Sequence, residues 1–414
     1  MKINSQCRDC GSPDLYKFLD LGNQPLANSF LKSDDLKKQE PRYPLEGYFC
    51  RSCNLAQLLH VVDKGELFRD YVYFSSGMPK VSPHWKSYAE EIIGNFLHPR
   101  DLVVEVGSND GILLRFFKDF KFRILGVDPA ENIARVATEA GIPTIADFFS
   151  EATAKDIFQK YGPAKAIMAN NVFAHIDDHH DFCKGVGALL DERGVLVIEA
   201  PYLIDMFENL AYDTIYHEHL SYLSVLPLTK LFQKHNLEIF DVKIVSAQGQ
   251  SLRLFVGRQG EHSVGRAVHD FIKKELEMGL HQERSYDALA NRIEHSKNQL
   301  QKLLNGLKKQ NKKIAAYGAP AKGNTLLNYC KIGSDVLDYA LEDLPSKQGF
   351  YTPGMHIPVV TRDFAAKNQP DYYLLLAWNY MRPILDKEQE FIKKGGRFIM
   401  PIGDDIKIIG DTRN

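Results

Sequence analysis

The densest run of acid–base groups in the 414-residue chain is Tyr216-His217-Glu218-His219-Leu220-Ser221-Tyr222. Histidine titrates near neutral pH and a neighbouring carboxylate can set its tautomer, so this run suits general acid–base work. Metal binding is the competing chemistry, but H-E-H lacks the H-E-x-x-H spacing that puts both rings on one helical face. A further histidine sits in Asn170-Asn171-Val172-Phe173-Ala174-His175-Ile176-Asp177-Asp178, and two phenols, Tyr71 and Tyr73, in Tyr71-Val72-Tyr73-Phe74-Ser75-Ser76-Gly77. Separately, Cys7-Arg8-Asp9-Cys10 and Cys50-Arg51-Ser52-Cys53 are two C-x-x-C pairs across a 39-residue insert. Four thiolates, each about 2.3 Å from one tetrahedral Zn²⁺, leave no open position for water or substrate, so Cys7, Cys10, Cys50 and Cys53 predict a structural site. No thioredoxin-like strand–helix pattern surrounds either pair, which argues against redox chemistry. The insert is long enough to carry a strand pair of its own.

These groups need a scaffold, and its centre is Val103-Val104-Glu105-Val106-Gly107-Ser108-Asn109-Asp110-Gly111. An apolar strand stops at an acidic residue, turns through two glycines and resumes as the helical pattern Ile112-Leu113-Leu114-Arg115-Phe116-Phe117. Glycine suits a turn where backbone must bend sharply and let a ligand approach. The spacing E-x-G-x-x-x-G departs from the dinucleotide fingerprint and from the phosphate loop, and it resembles motif I of the S-adenosylmethionine (SAM)-dependent methyltransferases. The next apolar run, Ile124 to Val127, ends at Asp128, where an acidic side chain can accept two ribose hydroxyls. Asp147 and Phe148 then offer a carboxylate and an aromatic face for adenine. With Glu105, Gly107, Asn109, Gly111, Asn170 and Asn171 they make up the expected cofactor set. A helix is expected over 82–96, and residues 100–258 alternate strand and helix as a doubly wound parallel sheet does.

Hydrophobic content of 44% and charged content of 25% are ordinary globular values, and the length predicts two or three domains. A net charge of −2, from 51 basic and 53 acidic side chains, argues against broad nucleic-acid binding. No stretch approaches the roughly 20 apolar residues of a membrane span, and the first residues have no apolar leader. The expectation is a cytoplasmic monomer with no nucleic-acid or membrane partner. Cys183 and Cys330, outside the pairs, read as small buried apolar residues.

Towards the C-terminus, Lys312 to Asn324 repeats a strand, a glycine-bearing turn (Gly318 to Gly323) and a helix. It lacks G-x-G-x-x-G, so a diphosphate held by turn amides and Lys322 is expected there rather than NAD. Taken in order, the four-cysteine lobe, E-V-G-S-N-D-G, N-N-V-F-A-H-I-D-D, Y-H-E-H-L-S-Y and this last region resemble the nucleotide-sugar C-3'-methyltransferases of deoxysugar pathways, over nearly the whole chain. The resemblance implies an α/β chain with four segments. They are a zinc-binding lobe (1–80), a Rossmann-like SAM methyltransferase domain (81–258), a helical connector (259–310) and a Rossmann-like nucleotide-sugar domain (311–414). It also implies a nucleoside diphosphate 4-keto-6-deoxyhexose methylated at C3 through an enolate. His219 would then be the base, Glu218 would orient it or contact the sugar, and Tyr216 would donate to the enolate oxygen or assist proton transfer. His175, Tyr71 and Tyr73 are further candidates at that centre. Lys322, Asn324, Lys347, Tyr351 and Asn379 are the expected substrate contacts. An O- or N-methyltransferase on another small molecule, or a zinc-containing scaffold, are the alternatives.

Overall fold

The computed structural model describes residues 1–68, 82–245 and 250–410. Tyr71 and Tyr73 lie outside the described residues. The chain forms two compact units that interleave along the sequence: Met1–Tyr16, Phe49–Leu203 and Leu220–Gln282 make one, and Lys17–Tyr48, Ile204–His219 and Glu283–Asn414 the other. This partition cuts across the four consecutive segments expected from sequence. The insert between the cysteine pairs and the run ending at His219 belong to the second unit, not to the segments beside them.

The first unit is built on a seven-stranded sheet in the order Leu237–Val245, Ser251–Arg258, Leu190–Pro201, Ala164–Asn170, Leu102–Val106, Arg123–Val127, Thr144–Ile145. All pairings are parallel except those of Ser251–Arg258, which runs antiparallel to both neighbours. The central strand Leu102–Val106 is buried at every position, which is why it reads as a continuous apolar run rather than an alternation. Strand order reverses between Leu102–Val106 and Ala164–Asn170, so a ligand crevice is expected beyond their carboxyl ends. The helix expected over 82–96 is present as Ser82–Phe96. Its Trp85, Tyr88, Ala89 and Ile92, spaced by three or four residues, pack with Leu113, Phe117, Met168 and Phe255.

The turn after Leu102–Val106 depends on its two glycines. Gly107 and Gly111 take φ of 65° and 77°, a region that costs most side chains strain. A Cβ on Gly107 would come 2.6 Å from the Val172 side chain, and one on Gly111 would come 2.9 Å from Ile142.

In the second unit, a six-stranded sheet runs Val359–Val360, Ala340–Leu341, Ile314–Tyr317, Tyr372–Leu375, Arg397–Met400, Lys407–Ile409, with only the last strand antiparallel. The insert does supply a strand pair: Leu15–Gln24 and Tyr43–Cys50 are neighbours in a sheet. The polar stretch expected to be helical from 266 forms two helices. These are Arg266–Glu277 in the first unit and Glu283–Lys309 in the second, and Gly279 between them takes φ 74°. The longer helix buries Tyr286, Leu289, Ile293, Leu300, Leu304 and Leu307, one stripe at helical spacing. Among the described residues no helix is long and apolar enough to cross a membrane.

Gly162 separates strain from crowding, since its φ is 80° and a Cβ there would meet nothing within 4 Å. Gly162→Ala, at φ 80° and ψ −172° where almost only glycine is found, is expected to lower the free energy of unfolding by about 1–3 kcal/mol, and Gly111→Ala, left-handed at φ 77° and ψ 24° and also crowding Ile142, by about 2–4 kcal/mol. Urea titration of both variants checks this. A loss of no more than about 1 kcal/mol for Gly111→Ala, the size of left-handed strain alone, would show that Ile142 yields freely.

Candidate active site and zinc centre

Both cysteine pairs belong to the first unit, and their sulfurs all lie within 4.8 Å of one another. Cys7 and Cys53 approach to 3.4 Å and Cys10 and Cys50 to 3.5 Å, close to the roughly 3.8 Å edge of a tetrahedral four-thiolate zinc site and far from a disulfide. Each pair folds as a knuckle: the Gly11 amide donates to Cys7 O at 2.9 Å, and that of Asn54 to Cys50 O at 2.8 Å. Gln57 Nε2 donates to Cys7 Sγ at 3.1 Å. The four cysteines therefore fit Zn²⁺ and offer it no open position.

The residues between the ligands attach this centre to the Asn170–Asp178 segment. Buried Arg8 donates to the carbonyls of Leu58 and Ile176 and reaches Asp177 Oδ1 at 3.3 Å. Asp9 Oδ1 accepts from His179 Nδ1 at 2.7 Å, and the His179 ring stacks on Phe173 at 4.3 Å. His175 ends the short turn Phe173–His175, with its ring 5.5 Å from Phe68.

At the carboxyl edge of the first unit's sheet, several polar atoms are buried without a hydrogen-bond partner among the described residues: Glu105 Oε2, Ser108 Oγ, Asn170 Oδ1 and Asn171 Oδ1. Glu105 Oε1 accepts only a 3.4 Å bond from Asn170 Nδ2. Burial pushes the Glu105 carboxyl well above the usual carboxylate range, against the smaller pull of that bond. Asp128 accepts the Asn109 amide at 2.8 Å and the Ala130 amide at 3.0 Å. Burial still raises its pKa despite both bonds. Unfilled acceptors at a sheet edge fit a ligand carrying an ammonium group and hydroxyls, as SAM does. A cavity of about 370 Å³ is lined by Asp63, Lys64, Gly65, Asp147, Phe148 and Ser150. Asp147 and Phe148 were expected here from sequence. Lys64, whose Nζ lies 4.1 Å from the Phe148 ring centre, was not, because a lysine beside a short helix carries no sequence signal of its own.

The second unit holds the Y-H-E-H residues. His219 Nδ1–H donates to Thr214 O at 2.8 Å, leaving Nε2 as the bare nitrogen, and that nitrogen accepts the Tyr216 hydroxyl at 2.7 Å. The two rings lie 4.0 Å apart. Burial lowers the His219 pKa to about 4, against the opposing Thr214 bond. Glu218 does not orient His219. Its Oε1 accepts Asn28 Nδ2 at 2.6 Å, because adjacent residues in this non-helical turn point apart, and a backbone carbonyl takes the orienting role. His217 Nε2 meets Tyr43 O at 3.3 Å.

The glycine turn of this unit is largely closed by its own chain. The Gly318 amide donates to Leu341 O at 2.7 Å, the Ala319 amide to Glu342 Oε2 at 2.9 Å, and Lys347 Nζ to Ala319 O at 2.9 Å. The amides expected to cradle a diphosphate are thus reduced to those opening the helix Ala321–Tyr329. Lys322 instead lies 3.8 Å above the Trp378 ring, and Trp378 Nε1 donates to Asp213 Oδ2 at 2.7 Å. Burial lowers Lys322 to about 8, opposed by Asp213 and Asp205. Burial also lowers Lys347, opposed by Glu342 and Glu218. Asn324 Nδ2 donates to Ala27 O at 2.7 Å, so that group holds a loop. Tyr351 pairs its backbone with Leu31, and Asn379 lies half-buried in the turn Trp378–Tyr380. Cys183 and Cys330 are both buried, as expected.

Three family models match in sequence order: a zinc binding domain over residues 7–68, a methyltransferase domain over 85–242 and a C-methyltransferase C-terminal domain over 246–403. The C-methyltransferase NovU of Streptomyces niveus is 38% identical over 401 residues, covering 96% of this chain and 95% of that protein. Among solved structures, the magnesium protoporphyrin IX methyltransferase of Synechocystis PCC 6803 with bound SAM is 14% identical and covers 43% of this chain and 79% of its own, with a TM-score of 0.33. The Haloferax volcanii complex of the Trm112 methyltransferase activator with a methyltransferase gives 14%, 45%, 94% and 0.36. On its full-length identity to a C-methyltransferase and its three matching domains, the chain belongs to the sugar C-methyltransferase family, SAM-dependent enzymes with a structural zinc site.

Proposed function

We propose that this enzyme transfers the methyl group of SAM to C3 of a nucleoside-diphosphate 4-keto-6-deoxyhexose. The observation that supports it most is the Tyr216–His219 pair, a neutral imidazole whose proton-accepting nitrogen is fixed on a phenol. A C–H carbon is a poor nucleophile, but at C3 the C4 carbonyl takes up the electron pair of the broken bond as an enolate. The enolate then attacks the methyl carbon in line with the sulfonium, the new C–C bond forms, C4=O is restored and S-adenosylhomocysteine leaves. The C3 proton goes to His219 Nε2, relayed by the Tyr216 hydroxyl. An imidazole held near 4 is unprotonated at pH 7, as a base must be. Glu218, steadied by Asn28, accepts a sugar hydroxyl. Lys322 and Lys347 pair with the diphosphate, which keeps both amines charged where burial alone would favour their neutral forms. Glu105, Asp128, Asp147 and Phe148 hold the cofactor, with Asn109, Asn170 and Asn171 beside them.

Mass spectrometry of the enzyme with SAM and a panel of dTDP-, GDP- and CDP-4-keto-6-deoxyhexoses is expected to show one added methylene, placed at C3 by NMR. A panel left unmodified by protein that binds SAM would remove the keto-sugar acceptor. His219→Asn is expected to lose about 10²–10⁴-fold in rate, together with C3 hydrogen exchange in D₂O when S-adenosylhomocysteine is bound. Full activity in that variant would end the base assignment. Because the folded pKa of His219 is near 4 and the unfolded value near 6.5, the unfolded chain binds more protons between them. This group's share of stability is present above about 6.5 and is lost as pH falls towards 4.

The zinc centre acts on the first unit through Arg8–Asp177 and Asp9–His179, which tie its knuckle to the segment carrying Asn170, Asn171 and His175. Elemental analysis is expected to find about one zinc per chain, and Cys50→Ala to lose both the metal and, with it, most SAM affinity. Protein purified without chelator and free of zinc would refute the four-thiolate site.

A further inference from the structure

Helix Ser82–Phe96 covers a row of polar side chains that runs through four neighbouring strands: Glu105, Asn170, Glu199 and Arg253. In the ladder Glu199 is paired with Asn170 on one side and with Arg253 on the other. Arg253, 3% exposed, donates Nε to Glu199 Oε2 at 2.8 Å and NH1 to Glu91 Oε2 at 2.7 Å, and its guanidinium lies 4.0 Å from the Tyr88 ring centre. Lys243 pairs with Glu91 as well. Two cations thus already match two carboxylates, and the network needs no further member for charge.

It has one nonetheless. His84 Nε2–H donates to Glu199 Oε1 at 2.7 Å, so the second Glu199 oxygen is spent on fixing an imidazole. Burial pushes the Glu199 carboxyl up, but bonds from His84 and Arg253 outweigh it and hold it below the usual range. Nδ1 of His84, on a side chain 24% exposed, makes no hydrogen bond to the described residues.

The direction of the helix says where that nitrogen lies. Phe96, at one end, packs on Phe240 and Phe255, and Phe255 is paired with Val197, upstream of Glu199 in its strand. His84, at the other end, is level with Glu199 and Asn170, at the carboxyl edge. There the row ends in unsatisfied acceptors: Glu105 Oε2 and Asn170 Oδ1 have no partner among the described residues. Carboxylate and amide oxygens beside an imidazole whose Nδ1 is the accepting nitrogen, since Nε2 carries the proton, make a set of acceptors that matches an ammonium group.

We infer that His84 is a cofactor-binding residue: its Nδ1, the ring's acceptor once Nε2–H is on Glu199, accepts a hydrogen bond from the α-ammonium at the methionyl end of SAM together with Glu105 and Asn170, and Glu199 is the positioning residue that fixes the ring. The inference is read by cofactor binding alone and does not depend on which sugar is methylated.

The test is calorimetric titration of the full chain and its His84→Ala variant with two ligands, S-adenosylhomocysteine and 5'-methylthioadenosine, which lacks the amino-acid end. The variant is expected to bind S-adenosylhomocysteine about 10-fold or more weakly and 5'-methylthioadenosine within about twofold of the parent. Retained binding of the second ligand also shows that the pocket is folded. Unchanged affinity for S-adenosylhomocysteine, or an equal loss for both ligands, would overturn the assignment and leave His84 as a structural member of the network.

Discussion

A buried carboxyl group with one oxygen that has no partner among the described residues is the constraint around which the first unit is arranged. Glu105 lies at the carboxyl end of the central strand, 5% exposed, with one long bond, to Asn170, among the described residues. Taking an ionised carboxylate out of water without a partner costs several kcal/mol, which proteins avoid by keeping the group neutral or by supplying a cation. Burial pushes the Glu105 carboxyl towards the first course, and a ligand carrying an ammonium offers the second. The turn at Gly107 and Gly111, the Asp128 carboxylate on the Asn109 amide, and the Asn170–Asn171 segment all converge on the same edge.

On the proposed mechanism the second unit has a different problem to solve, since it must present a base that is unprotonated yet oriented. A carboxylate beside His219 would orient it but also favour its charged form. The Thr214 carbonyl orients the ring through Nδ1–H without adding a full negative charge, and burial then keeps the imidazole neutral. Glu218, the carboxylate next in sequence, is held by Asn28 from the insert between the cysteine pairs. Adjacency in sequence suggested the Glu218–His219 pairing, and the turn geometry separates the two.

What could be read from sequence and what could not follows from how local each signal is. The strand, turn and helix around Glu105, the helix Ser82–Phe96 and the four-cysteine site rest on periodicity, glycine positions and ligand spacing within short windows, and the structure has each of them. The strand Ala340–Leu341 is only two residues long, because Glu342 turns its carboxylate back onto the amides of Asp343 and Leu344, a choice that no propensity reports. The contacts of Lys64 with Phe148, of Asn28 with Glu218 and of His84 with Glu199 join residues far apart in the chain. Interleaving of the two units was hidden for the same reason, since the crossing points Tyr16, Tyr48, Leu203 and His219 carry no linker composition.

Glu342 also decides what the C-terminal sheet can bind. Its parallel strands and glycine turn have the topology of a dinucleotide site, in which a phosphate rests on the turn amides at a helix N-terminus. Here one oxygen of Glu342 accepts the Ala319 amide and the other accepts those of Asp343 and Leu344, so a carboxylate of the protein's own occupies the place a phosphate would take. A second anion about 4 Å away would meet a repulsion of roughly 4 kcal/mol at the effective dielectric of such sites. The diphosphate of the proposed substrate is therefore better served by side-chain cations than by the turn amides. Lys322 over Trp378 and Lys347 over Phe30 are two such cations, each stacked on an aromatic face that keeps it partly dry. On the proposed function, the positive charge offered to the substrate in this unit comes from lysine side chains rather than from backbone amides.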